Sequence, residues 1–251
     1  MKVKLISSTP NAWELLIGTK STRMRGQDPA TMTEQEKWDH WNYMLDTIRS
    51  PFEFVDYIFE IEGVSKNFTH QFVRTRTGSY QQETSRALDM TGNGVVAPEG
   101  LTESQAQLFW DGVADADAHY QQLLAAGVQL QDARAILPSN METKIKAKFN
   151  LRTLSDTAKT RLCTRTAGEY QRVFRAMREL VIQMHPWADP MLQVACVATG
   201  QCAFPRHGKE NCSFYRPWMD LQNQKEELRK IFWASDLIKN NPVATDGKSN
   251  G

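Results

Sequence analysis

The chain has 251 residues, 41% of them hydrophobic, and a formal net charge of +1. That is enough apolar material to bury a core as one domain, or as one domain with an appendage. The near-neutral charge argues against a general nucleic-acid binder, which needs a basic excess, and no apolar run reaches the ~18 residues of a membrane span. The N-terminus lacks a signal-peptide core, and the four cysteines, Cys163, Cys196, Cys202 and Cys212, do not make a secreted disulfide scaffold. A cytoplasmic protein of a bacterial or phage-infected cell is expected, with no membrane or nucleic-acid partner.

In chain order, residues 2–8 alternate as a strand and Thr9-Pro10-Asn11 reads as a turn. Thr33 and Glu36 form a capping box opening a helix with Trp38, Trp41, Met44 and Ile48 on one side. Val55, Tyr57, Phe59 and Ile61 alternate with their neighbours as a half-buried strand, and 64–73 reads as a short helix. Residues 89–100 are loop. Thr102 and Gln105 cap a long helix that Gly127 stops. Thr143, Ile145, Ala147 and Phe149 alternate with Lys144, Lys146 and Lys148, a strand with one wet face. Val173, Met177, Leu180, Val181 and Met184 have helical spacing, ended by Pro186. This irregular alternation predicts an α+β (mixed α/β) domain. No Gly-x-Gly-x-x-Gly follows a strand, so a Rossmann site is not indicated.

The densest chemistry lies in the approach and run His70-Gln71-Phe72-Val73-Arg74-Thr75-Arg76-Thr77-Gly78-Ser79-Tyr80-Gln81-Gln82-Glu83-Thr84-Ser85-Arg86. After Val73 it carries almost no aliphatic residue and is expected to lie outside the core. Its planar cations suit bidentate phosphate binding, and its amides and hydroxyls suit a heterocycle. A nucleotide is the natural partner.

This run resembles the signature of the flavin-dependent thymidylate synthases, Arg-His-Arg followed by Ser, a polar pair, a hydroxyl and a closing Arg. Four other stretches agree in order: residues 3–10, Ser50-Pro51-Phe52-Glu53, Ala133-Arg134-Ala135-Ile136-Leu137-Pro138, and Asn150-Leu151-Arg152-Thr153-Leu154 followed by Arg161. The resemblance covers residues 1–187. It leaves 188–239 as a C-terminal helical extension and 240–251 as a polar tail expected to be disordered.

The resemblance implies a mixed sheet flanked by helices in a homotetramer, with FAD as cofactor and methylenetetrahydrofolate and NADPH as co-substrates. It implies transfer of a one-carbon unit to C5 of dUMP. Gln71, Arg86 and Arg134 would hold the nucleotide phosphate, Arg134 coming from a neighbouring subunit. Arg74, Gln82 and Thr84, with Glu83 and Ser85, would complete the nucleotide site. Arg161 would face the pyrimidine and stabilise negative charge on it. Ser50, Arg76, Asn150 and Arg152 would contact the flavin, together with Arg74, Thr75, Gln82 and Asp156. Arg172, Arg175 and Arg178 match no motif position and read as helix surface.

Several positions depart from the family pattern. Thr75 and Ile48 stand where histidines are usual, Gln82 where an acid is common, Ala87 where Tyr usually follows the closing Arg, and Asp156 where an amide is expected. Drift in a divergent copy accounts for this, as does a changed reaction: a dUMP or dCMP hydroxymethylase or another pyrimidine-nucleotide C5-modifying enzyme. A non-catalytic nucleotide-binding relic is a third reading, opposed by the retained arginines. Flavin hydride chemistry needs no cysteine nucleophile, and Cys163 reads as small packing residue. Cys196, Cys202, His207 and Cys212 lack the close Cys pair of a structural zinc site, so no metal is expected.

Overall fold

The computed structural model describes residues 1–20, 27–166, 168–204 and 212. His207, most of the expected C-terminal extension and the whole polar tail lie outside the described residues. Four strands, β1 (Lys2–Ser8), β2 (Asp56–Ser65), β3 (Ser79–Gln82) and β4 (Glu142–Asn150), form one sheet in the order β1-β2-β4-β3. The helices are α1 (Ala12–Gly18), α2 (Glu34–Asp46), α3 (Lys66–Phe72), α4 (Glu103–Ala125), α5 (Leu130–Ala133), α6 (Leu151–Arg161), α7 (Gly168–Met184) and α8 (Ala195–Thr199). The mixed α/β class expected from the sequence is what the chain forms. Two compact units divide it, one of Met1–Lys4 with Glu60–Ala147 and one of Leu5–Phe59 with Lys148–Gly251; β1, β2 and β4 each have one end in either unit.

In the first unit, Ile61 and Val64 of β2 and Ile145 and Ala147 of β4 are buried. The alternate side chains form a charged lattice: Glu60 meets Lys4 and Lys144 at 3.2 Å each, and Lys144 also meets Glu62 at 2.6 Å. These ammonium groups hold the Glu60 carboxyl at about 2. The capping box at Thr102 forms as expected and opens α4. Gly127, at φ 86, takes the left-handed conformation just past the helix end. Of α4 only Tyr120 is buried, packed with Met90, Ala133 and Met141, and its hydroxyl accepts from the Met90 amide at 3.2 Å. Leu108 and Trp110, on the same helix, are exposed at 75% and 45%.

In the second unit, Trp41, Met44, Phe52, Tyr57, Phe59, Phe149, Val173, Phe174 and Met177 are buried. Thr33 closes its capping box on Glu36. The helix it opens stops at Asp46, so Ile48 falls beyond it rather than on its face. The segment Ser50–Phe54 is a 3-10 turn whose Pro51 and Phe52 are buried, packing with α1 and α6. Arg178 is not helix surface: it pairs with Asp189, a carboxylate only 1% exposed, and donates to the Leu192 carbonyl at 2.7 Å. All four cysteines are free thiols, and burial, reinforced by the other three thiols, pushes Cys196 up to about 11.

Candidate functional site

The signature run is built by α3 and β3. Ser65 caps α3, its hydroxyl accepting from the Phe68 amide at 2.9 Å, so the helix starts at Lys66 rather than at Val64. It ends on Val73, and the chain turns through Arg74-Thr75-Arg76, closed by the Gly78 amide on the Thr75 carbonyl at 3.0 Å. The Tyr80 hydroxyl sits between the carbonyls of Phe72 (3.2 Å) and Thr75 (2.8 Å), tying this turn to β3. The Arg74 and Arg76 side chains are exposed, and no described residue bonds to either guanidinium. Gln71 is exposed beside them. The turn therefore presents unspent cations, as an anion-binding surface requires.

Beyond β3, Gln82 is half-buried with its amide 3.5 Å from the Thr143 hydroxyl, and the Glu83 amide continues the pairing to the Lys144 carbonyl at 2.9 Å. The Thr84 hydroxyl accepts from the Arg86 amide at 3.1 Å. Ser85 then enters the interior, 7% exposed, which corrects the expectation that this run avoids the core. Its hydroxyl accepts from Arg134 Nη1 at 3.1 Å and from Lys66 Nζ at 2.6 Å. Arg134 also donates through Nε to the Gln131 carbonyl at 3.0 Å, and Arg86 Nε donates to the Gln131 side chain at 3.1 Å. Two motifs 49 residues apart thus meet at the Ser85–Arg134 bond. Within the chain Arg134 is held between Ser85 and the Gln131 carbonyl.

Lys66, which no motif names, belongs to this cluster. Its pKa is lowered, by burial first and then by the Arg134 cation, with Glu83 opposing. Position alone carried the signal: a basic residue directly after a capping Ser, at the root of the signature helix.

The second unit holds the other expected residues. Asn150 caps α6, its side-chain oxygen accepting from the Thr153 amide at 2.8 Å. Arg152 pairs with Glu53 at 2.5 Å, which joins the Ser50-Pro51-Phe52-Glu53 element to the Asn150–Leu154 stretch. Ser50 is exposed at the start of its 3-10 turn. Asp156 is bonded by Arg49 (3.3 Å) and Lys159 (2.7 Å). Arg49 was not singled out in the sequence, although it directly precedes the Ser-Pro element. Arg161 closes α6 half-buried, its guanidinium 4.2 Å from the centre of the Tyr170 ring, and no described carboxylate pairs with it. Arg49 and Arg152 are each paired with a carboxylate, and their remaining N–H groups, with the Asn150 amide, are donors of the kind an anionic pyrophosphate takes.

A family model described as thymidylate synthase complementing protein matches residues 4–187. The chain belongs to that family. Among curated relatives in it, the chain is 32% identical over 194 residues to a flavin-dependent thymidylate synthase of Sulfurisphaera tokodaii, 74% of this chain and 75% of that one. It is 27% identical over 225 residues to one of Clostridium tetani, 80% of this chain and 90% of the other. A Geobacter sulfurreducens protein of the same name is 35% identical over 159 residues, 61% of this chain and 68% of that one. Membership makes the chain a thymidylate synthase-like one-carbon transferase. The fold is shared with the crystal structure of the UMP/dUMP methylase PolB from Streptomyces cacaoi bound with 5-Br dUMP. That likeness has a TM-score of 0.63 at 18% identity, over 74% of this chain and 92% of the other.

Proposed function

We propose that the chain uses FAD to transfer a one-carbon unit from methylenetetrahydrofolate to C5 of dUMP, with NADPH as reductant. The observation that carries this reading is the meeting of the signature and the Ala133–Pro138 motif at one buried serine, Ser85, bonded by Arg134. A receptor of that kind answers a phosphate monoester, and the family relatives carry the name flavin-dependent thymidylate synthase.

In this reading Ser85, Arg86 and Arg134 bind the nucleotide phosphate, with Gln71 beside them. Arg74, Gln82, Glu83 and Thr84 line the sugar and base. Flavin, when bound, supplies the hydride that replaces addition of an enzyme thiol. Arg76, Thr75, Ser50, Asn150, Arg152 and Asp156 hold and orient it. Arg161 places its positive charge against the pyrimidine, where electron density rises at N3 and its flanking carbonyl as the ring is reduced. Fixed in place beforehand, such a cation needs no reorganisation when the charge appears. A cysteine route finds no support at Cys196, which stays protonated and a poor nucleophile near neutrality.

A homotetramer is part of the proposal. Its support is α4, which leaves Leu108 and Trp110 in solvent along a helix with a single buried residue. Native mass spectrometry would read the state directly.

The chemistry is tested by mass spectrometry of products from dUMP, dCMP and UMP, each given to the FAD-loaded chain with methylenetetrahydrofolate and NADPH. A methylated product from dUMP supports the proposal. A hydroxymethylated product, or turnover of dCMP alone, would replace it with the changed reaction suggested by Thr75 and Ile48.

A further inference from the structure

Lys66 lies outside every motif that carries the family resemblance, yet it makes the shortest contact of the buried cluster, 2.6 Å from Ser85 Oγ. Arg134 donates to the same oxygen at 3.1 Å. Two cationic donors on one hydroxyl use both of its lone pairs, so its own hydrogen is left to donate, and among the described residues it has no acceptor. Ser85 is 7% exposed, where an unspent polar hydrogen is costly unless a ligand takes it. The two cations also repel each other: Arg134 helps to depress the Lys66 pKa, and only Glu83 opposes it. Lys66 and Arg134 bring two positive charges against the one negative charge of Glu83, and Arg86, next to Ser85 in the chain, sits on the Gln131 side chain. An excess of positive charge around a polarised, donating hydroxyl suits the anionic oxygens of a phosphate monoester.

We infer that Lys66 is a phosphate ligand of the nucleotide site, acting with Ser85 and Arg134 to select the 5′-monophosphate over the bare nucleoside. Lys66 is the compact point charge of the set, whereas the arginines supply planar forks. Its ammonium group moves from Ser85 alone to share the phosphate oxygens. The inference rests on the dUMP reading above and adds a residue to it.

The test is calorimetric titration of the FAD-loaded full chain with dUMP and with deoxyuridine, for wild type, Lys66→Met and Lys66→Arg. A lost charge-assisted contact corresponds to weakening by about tenfold or more. Lys66→Met is expected to lose that much affinity for dUMP and none for deoxyuridine, and Lys66→Arg to recover most of it. A second measurement needs no variant: acetylation of Lys66 in the wild type, followed by peptide mass spectrometry, is expected to be blocked by dUMP and not by deoxyuridine. Unchanged dUMP affinity in Lys66→Met, equal losses for both ligands, or acetylation indifferent to dUMP would overturn the inference and leave the dUMP reading standing. A wild type that binds no dUMP would overturn both.

Discussion

Replacing Tyr170 tests how Arg161 is held for catalysis. Tyr170 is 2% exposed and Arg161 half-buried, with the guanidinium 4.2 Å from the ring centre. Cation–π contacts run from about 0.5–1 kcal/mol when exposed to about 2 when desolvated. This pair lies between, so the ring fixes the cation by about 1–2 kcal/mol. If that orientation is used in the transition state, its loss slows the chemical step about five- to thirtyfold. Tyr170→Leu removes the aromatic face, whereas Tyr170→Phe keeps it and removes only the hydroxyl. The assay is single-turnover oxidation of reduced flavin at saturating dUMP and methylenetetrahydrofolate, which separates rate from binding. Tyr170→Leu should fall within that range at little change in nucleotide affinity, and Tyr170→Phe should stay close to wild type. Arg161→Ala should cost about 10²–10³, and Arg161→Lys should recover part of it. A wild-type rate in Tyr170→Leu, or an equal loss in Tyr170→Phe, would refute the argument that the ring face orients the cation.

Arg134→Ala should weaken dUMP by about tenfold or more, and Arg86→Ala by less, because Arg134 is half-buried on Ser85 while Arg86 is exposed on Gln131; fluorescence titration would show the order. Asp189→Ala should destabilise the fold by about 3–5 kcal/mol in urea unfolding, since it strands Arg178 beside an emptied, buried position. His185 meets the Tyr57 hydroxyl at 2.9 Å, and burial holds its pKa below the ordinary 6.5. As pH falls through 6.5 the unfolded chain takes up that proton first, so stability is full above this value and declines below it. Melting temperature against pH should therefore drop more steeply from 6.5 downward in wild type than in His185→Gln.

Local chemistry was the most legible part of this sequence. The capping boxes at Thr33 and Thr102 need only side chains three residues apart, and both form. The alternation of 143–149 needs only a two-residue period, and β4 follows it. What escaped depends on partners distant in the chain. Arg178 looked like a surface charge because its buried partner Asp189 lies beyond the end of α7, in the 3-10 turn that starts at Pro186. The strand Ser79–Gln82 was hidden because its residues are polar; backbone pairing with β4 and the anchored Tyr80 hydroxyl make it one. Ser85 read as solvent-facing, since nothing local announces that Lys66 and Arg134 converge on it. The motifs named Ser85 and Arg134 through the family resemblance, and only the fold revealed the lysine between them.

The wet face of β4 has a further consequence, for which changes of length the gene can tolerate. Lys144, Lys146 and Lys148 point away from the core, against Glu60, Glu62 and Asp56, while Thr143, Ile145, Ala147 and Phe149 are buried. Losing or gaining a single codon within this strand reverses which set faces inward. Three ammonium groups would then need burial, each at several kcal/mol, more than a domain of this size has in reserve. Single-codon insertions and deletions should be purged from codons 143–149, while substitutions among charged residues at 144, 146 and 148 survive.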